Sequence, residues 1–143
     1  MLIPDINILI YAYDSTSPRH AEARRWWETT LVGERPVGLA WATMLGFIRI
    51  MTHPRIQARP MRVTDCVRRV RSWIEHPRTE ILTPGEQHAD ILFRFLTQLG
   101  SAGNLTSDAY LAALAVEYQA ELVSTDADFA RFQGLRWFNP LPR

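Results

Sequence analysis

The chain has 143 residues, 47% of them hydrophobic, enough apolar material for one domain spanning residues 1–143 around a real core. No run approaches the roughly 20 apolar residues of a membrane span, and the N-terminus lacks the features of a secretory signal. The single cysteine, Cys66, cannot form an internal disulfide, so a cytoplasmic protein is expected. A net charge of +1 conceals an uneven distribution: all 16 basic residues are arginine, and eight lie between Arg49 and Arg78 against only Asp65 and Glu75.

Leu2-Ile3-Pro4 reads as a short apolar strand, after which Asp5 caps a helix running through Ile6, Leu9, Ile10 and Tyr13. Pro18 to Leu31 predicts a second helix, with Trp26, Trp27 and Thr30 around its buried side. Pro36 to Ala42 contains the next strand, which flows into a helix carrying Met44, Leu45, Phe47, Ile48 and Met51, stopped near Pro54. Met61 to Glu75 is an amphipathic helix. Val63, Cys66, Val67, Val70 and Ile74 form its apolar stripe, and Arg62, Arg68, Arg69 and Arg71 face away from it. In that stripe Cys66 is expected to be an inert core thiol.

Glu80-Ile81-Leu82 is a third strand, and Thr83-Pro84-Gly85-Glu86 has the form of a capping box opening a helix that ends at Gly100. Thr106 or Ser107 then caps a helix from Asp108 to Gln119. Glu121 to Ser124 forms a strand, Asp126 to Phe132 a short helical turn, and Leu135 to Phe138 a last strand. Strands alternating with helices predict an α/β fold whose mostly parallel sheet is covered on both faces.

In such sheets ligands bind beyond the carboxyl ends of the strands, where Asp5 and Asp126 both fall. Singly, each acid has a plainer reading. Asp5 is also an N-cap, Asn7 a helix-start residue, and Asp126 with Asp128 the cap and first turn of a short helix. Asp108 differs. It heads the face Asp108, Leu111, Ala112, Ala115, Gln119, which packs on the sheet, and that helix offers it no cationic partner. A buried carboxylate must be paired or metal-bound. Carboxylates a few Å apart repel by roughly 3–4 kcal/mol per pair at an effective dielectric near 20, and folds hold such clusters to bind hard cations such as Mg²⁺ or Mn²⁺. The expectation is a metal-dependent enzyme acting on phosphates. The arginine-rich middle suits a phosphate backbone, although the same residues also fit ordinary solvated helix faces.

Other chemistries find no support. His20, His53, His76 and His88 show no zinc-type spacing, and His88 reads as partly buried packing. A nucleophile elbow and a glycine-rich phosphate loop are both missing. Asp-x-Asn after the first strand also occurs in phosphate-transfer enzymes of the haloacid dehalogenase type, but those need a later lysine and this chain has none.

Pro4-Asp5-Ile6-Asn7-Ile8-Leu9, the run Thr106-Ser107-Asp108-Ala109-Tyr110-Leu111 continuing to Ala115, the stretch from Glu121 to Phe132 and the closing Asn139-Pro140-Leu141 together resemble the PIN-domain ribonucleases, specifically the VapC-type toxins of type II toxin–antitoxin pairs. The resemblance covers essentially the whole chain in order and spacing. It implies a PIN-like α/β/α sandwich, Mg²⁺ or Mn²⁺ held by the acidic cluster, and hydrolysis of RNA phosphodiesters. By that likeness Asp5 and Asp108 are the principal metal ligands, and Asp126 and Asp128 complete the set directly or through water. By the same likeness Asn7 orients a carboxylate and Thr125 supports the site by hydrogen bonding. The charge pattern, for its part, makes Asp108 or Asp126 the expected acceptor of the attacking water's proton and Arg49 a candidate to position the RNA backbone. The likeness also implies a homodimer and a cognate VapB-type antitoxin whose C-terminal segment fills the groove.

One position departs from the family pattern. Many members carry a Glu on the helix after the second strand, where this chain reads Leu45-Gly46-Phe47-Ile48-Arg49. No acid lies between Glu34 and Asp65, so a shifted alignment does not restore it. The site loses one negative charge, which favours one metal over a symmetric pair. The same loss motivates a rival expectation, a weakened PIN-like protein that acts as an RNA- or antitoxin-binding module.

Overall fold

The computed structural model describes residues 1–141. Five short segments form strands among the described residues: β1 (Leu2–Pro4), β2 (Val37–Ala40), β3 (Thr79–Leu82), β4 (Glu121–Val123) and β5 (Trp137–Phe138). All neighbours pair in parallel, in the order β3-β2-β1-β4-β5. Parallel pairing demands long crossovers, and six helices provide them: α1 (Ile6–Tyr13), α2 (His20–Leu31), α3 (Trp41–Met51), α4 (Val63–Ile74), α5 (His88–Leu99) and α6 (Thr106–Glu117). The chain first builds outward from β1 to β2 and β3, then returns to lay β4 and β5 on the other side of β1. The switch between β1 and β4 opens a crevice at their carboxyl ends.

Helices cover the sheet with two separate cores. One contains Ile8, Leu9, Trp27, Met44, Phe47 and Trp73 from the first four helices. The other gathers Phe95, Leu111, Leu114, Phe129 and Phe132 around α5, α6 and the segment after β4. Trp73 anchors the first, with its ring 4.8 Å from Phe47 and 5.6 Å from Trp27, both edge-on, and its indole N–H donates to the Tyr13 hydroxyl at 2.8 Å. That bond lets a large amphipathic ring be buried without an orphaned donor. The expected parallel α/β architecture is present, with every strand parallel to its neighbours.

Local details differ from the sequence-based expectation. In α4 the core takes Cys66, Val70 and Trp73, while Val63 and Val67 are 59% and 41% exposed. The stripe is rotated toward Trp73 because the larger ring buries more apolar area than either valine. No capping box starts α5. Its helix begins at His88, and the carboxylate of Glu117 at the end of α6 accepts from the backbone N–H groups of Gly85 and Gln87 at 2.8 and 3.0 Å. Neither Thr106 nor Ser107 caps α6, which instead grows out of a one-turn 3₁₀ segment, Gly103–Leu105. Gly100 does end α5, at φ 72°, the left-handed conformation that glycine adopts at least cost.

Candidate active site

The crevice between β1 and β4 is organised by one buried serine. Asp5 leaves β1 with its N–H bonded to Val123 O at 2.8 Å, so the strand pairing itself sets its position. Its Oδ1 accepts from Ile6 N at 2.8 Å, which caps α1, and its Oδ2 accepts from Ser124 Oγ at 2.7 Å. Ser124, fully buried at the end of β4, also accepts from Asp126 N at 3.0 Å and from Asn7 Nδ2 at 3.5 Å. A single hydroxyl thus ties Asp5, Asn7 and the Asp126 backbone together. Asp126 Oδ1 in turn accepts from Asp128 N at 2.9 Å and caps the short 3₁₀ turn Ala127–Arg131.

Asp108 arrives from a third direction, in the first turn of α6. Burial raises its pKa to about 6 from 3.8, and the charges of Asp5, Asp126 and Asp128 push in the same direction. Burial likewise raises Asp5, against the lowering effect of its bonds from Ser124 and Ile6, and the charge of Asp126 adds to the rise. Four carboxylates therefore share one field. Among the described residues none of them is in an ion pair, and no group of three or more acids, histidines or cysteines stands close enough together to hold a metal ion.

Asp5 and Asp108 line a cavity of about 260 Å³ together with Thr43, Gly46, Arg49, Ser107 and Tyr110. Asp126 and Asp128 stand outside its lining yet near enough to act on Asp108. Arg49, exposed on α3, reaches the same cavity. Gly46 faces it too, and a Cβ there would lie 2.5 Å from Ile6 Cδ1. The volume next to the backbone of residue 46 is taken by Ile6, which is the steric counterpart of the missing acid.

Asp5, Asp108, Asp126, Asp128, Asn7 and Arg49 all gather at this crevice. Thr125 is half-buried and makes no side-chain hydrogen bond among the described residues; the supporting role expected of it falls to Ser124, one residue earlier. Asn7 reaches the carboxylate only through that serine, and its Oδ1 is buried without a partner. Ser124 and Thr43 escaped sequence reading. The available signal for Ser124 was a hydroxyl ending an otherwise apolar strand just before an acid. His88 is buried against Tyr110, the rings 5.2 Å apart, as packing.

A parallel sheet with acids from three chain segments at its switch point defines a class of small α/β proteins built around a carboxylate crevice. The chain belongs to the PIN domain family, whose model matches residues 2–135, and within it to the VapC type. It is 44% identical over 141 residues to ribonuclease VapC33 of Mycobacterium tuberculosis, covering 99% of both chains. It is 43% identical over 140 residues to ribonuclease VapC37 of the same organism, covering 98% of this chain and 97% of the other. Among solved structures, VapBC-1 of nontypeable Haemophilus influenzae superposes with TM-score 0.71 at 19% identity, over 99% and 98% of the two chains. VapC20 of M. tuberculosis, a toxin that cleaves the sarcin–ricin loop, superposes with TM-score 0.64 at 16% identity, over 95% and 99%.

Proposed function

We propose that this protein is a Mg²⁺- or Mn²⁺-dependent endoribonuclease toxin, neutralised by a VapB-type antitoxin. The observation that carries the reading is the meeting of Asp5, Asp108 and Asp126, with Asp128 beside them, at the sheet's switch point, with no cationic side chain among the described residues paired to any of them. Unrelieved repulsion between hard oxygen donors fits a divalent cation in chemistry and in charge. Its ligands would be Asp5 and Asp108, with Asp126 and Asp128 completing the set. When bound, such a cation polarises a phosphate and acidifies nearby water.

The remaining work belongs to the chain. Ser124, with the N–H of Ile6, holds the Asp5 carboxylate in place at the crevice. Asp108 or Asp126, through an oxygen left free, takes the proton of the attacking water. Arg49 at the cavity rim draws in the RNA backbone. With Gly46 in place of an acid, the negative charge of the crevice would suit one cation rather than two. The relatives' names carry the ribonuclease reading to this chain, and the solved toxin of the same fold supports the toxin reading. An apolar groove between α3 and α4, lined by Trp41, Ile48, Val67, Val70 and Ile74, supplies surface of the kind that antitoxin or homodimer contacts use.

The test is cleavage of a mixed structured RNA pool by purified protein in Mg²⁺ or Mn²⁺, in EDTA, and with Asp108→Asn. Metal-dependent cleavage that disappears in the variant is expected. A folded protein that cleaves nothing, and whose melting temperature ignores the metals, would instead be the weakened binding module that Gly46 suggests.

A further inference from the structure

The cavity beside the carboxylates has walls of opposite charge. Asp5 and Asp108 form the acidic wall, and α3 forms the other with Ala42, Thr43, Gly46 and Arg49. No acid stands in α3, and Arg49 is exposed and in no ion pair among the described residues. The helix springs directly from the carboxyl end of β2, with Ala40 as its N-cap and no side chain closing its first turn. Among the described residues no carbonyl outside the helix accepts from the N–H groups of Ala42 or Thr43. Such a turn presents free donors and the positive end of the helix dipole.

Thr43, in that same turn, is only 5% exposed and borders the cavity. Its hydroxyl has no hydrogen-bond partner among the described residues, whereas those of Thr52, Ser72 and Thr97 turn back to the carbonyls of Ile48, Arg69 and Phe93. A hydroxyl so deeply buried is costly when left unbonded, and valine has the same shape without that cost. Resting on the ribonuclease reading, we propose that the first turn of α3 is a phosphate site. Thr43 Oγ1 and the free N–H groups beside it donate to a non-bridging oxygen of one RNA phosphodiester, and Arg49, further along the same wall, meets its charge. The opposite wall keeps its carboxylates for the cation. An acid at position 46, as many relatives carry by pattern, would repel an anion from this wall; Gly46 leaves it free of negative charge. Contacts of this kind position a backbone and read no base.

The experiment replaces one phosphodiester at a time by an uncharged methylphosphonate in a short single-stranded RNA. Affinity for the Asp108→Asn protein is measured in Mg²⁺ by fluorescence anisotropy. One linkage is expected to lose about tenfold, the scale of a hydrogen bond to a charged group, with smaller losses elsewhere. Adding Thr43→Val should weaken the intact RNA about tenfold and hardly affect the RNA already altered at that linkage, and adding Thr43→Ser should change neither. Should Thr43→Val not fold, Ala42→Asp at the exposed position beside it gives the same test, because an acid suits a helix N-terminus while excluding an anion. A flat scan, no RNA binding, or equal losses from both RNAs in the variants would overturn the site. Inorganic phosphate that raises the melting temperature only when Thr43 is present, together with a flat scan, would assign the turn to a free phosphate ion instead. Cleavage of the intact RNA by the wild-type protein, run in parallel, separates the two readings. Cleavage with a flat scan removes the phosphate site alone, and a sharp scan without cleavage removes the hydrolase alone.

Discussion

Ser124 is the residue on which the acidic crevice depends, because its hydroxyl serves three groups at once. Ser124→Ala removes a charge-assisted bond to Asp5 and strands the Asn7 amide. We expect a loss of about 1–3 kcal/mol in urea unfolding, and a 10- to 100-fold loss of metal affinity or activity, the scale typical of groups that orient ligands. Thr should restore much of this; a variant with unchanged activity would remove Ser124 from the site. Asp108 makes a prediction in pH. Its carboxyl titrates near 3.8 unfolded and at about 6 folded, so the folded state holds the proton more tightly. The associated stability is fully present below about pH 4 and is lost as pH rises through 6. In metal-free protein Asp108→Asn should therefore stabilise at pH 7.5 by about 1 kcal/mol, a figure discounted for the group's partial exposure. The gain should vanish near pH 4. Equal effects at both pH values would show that the carboxylate is neither desolvated by burial nor repelled by its neighbours.

The helices depend on one another for their ends. α5 begins without a side-chain cap, and Glu117 at the foot of α6 instead holds the turn that leads into it, accepting from the N–H groups of Gly85 and Gln87 across the packing interface. Glu117→Ala should cost about 1–3 kcal/mol, the worth of hydrogen bonds to a charged group, read as a shifted urea midpoint with an unchanged slope. Activity measured below the transition should hold, because Glu117 lies away from the crevice lining. On the other face Trp73 ties α4 to α1, α2 and α3 through Tyr13, Trp27 and Phe47. Trp73→Ala is expected to cost about 3–5 kcal/mol and to loosen α3, which carries Gly46 and Arg49 to the cavity. A cost below 1 kcal/mol would mean that α4 is a peripheral element.

At the scale of the whole molecule, a cation bound only by the folded state must stabilise it. At a hundredfold excess over Kd the gain is about 2.7 kcal/mol, or about 5–10 °C in melting temperature for a chain of this size. Mg²⁺ or Mn²⁺ should produce that shift in the wild type and a much smaller one in Asp5→Asn or Asp108→Asn. A rise of equal size in all three proteins would place the cation elsewhere.

Much of this architecture was legible from local pattern. The alternation of apolar strands and amphipathic helices determined a parallel α/β sheet, because each segment's period and breakers are properties of a few consecutive residues. Asp5 and Asp126, one residue past β1 and three past β4, were readable as crevice residues for the same reason, and Asp108 by its place on the buried face of its helix. What only the tertiary structure decided were relations between segments far apart in sequence. Ser124 rather than Thr125 supports Asp5, since the register Pro4↔Val123 aims the hydroxyl of the next residue at the carboxylate. Trp73 displaced Val63 and Val67 from the core because three aromatic neighbours from other helices meet it there. Glu117 holds the turn before α5 through Gly85 and Gln87, and Ile6 occupies the space at Gly46. Each of these is a side chain satisfied or stopped by an atom many residues away, and no window of sequence contains both partners.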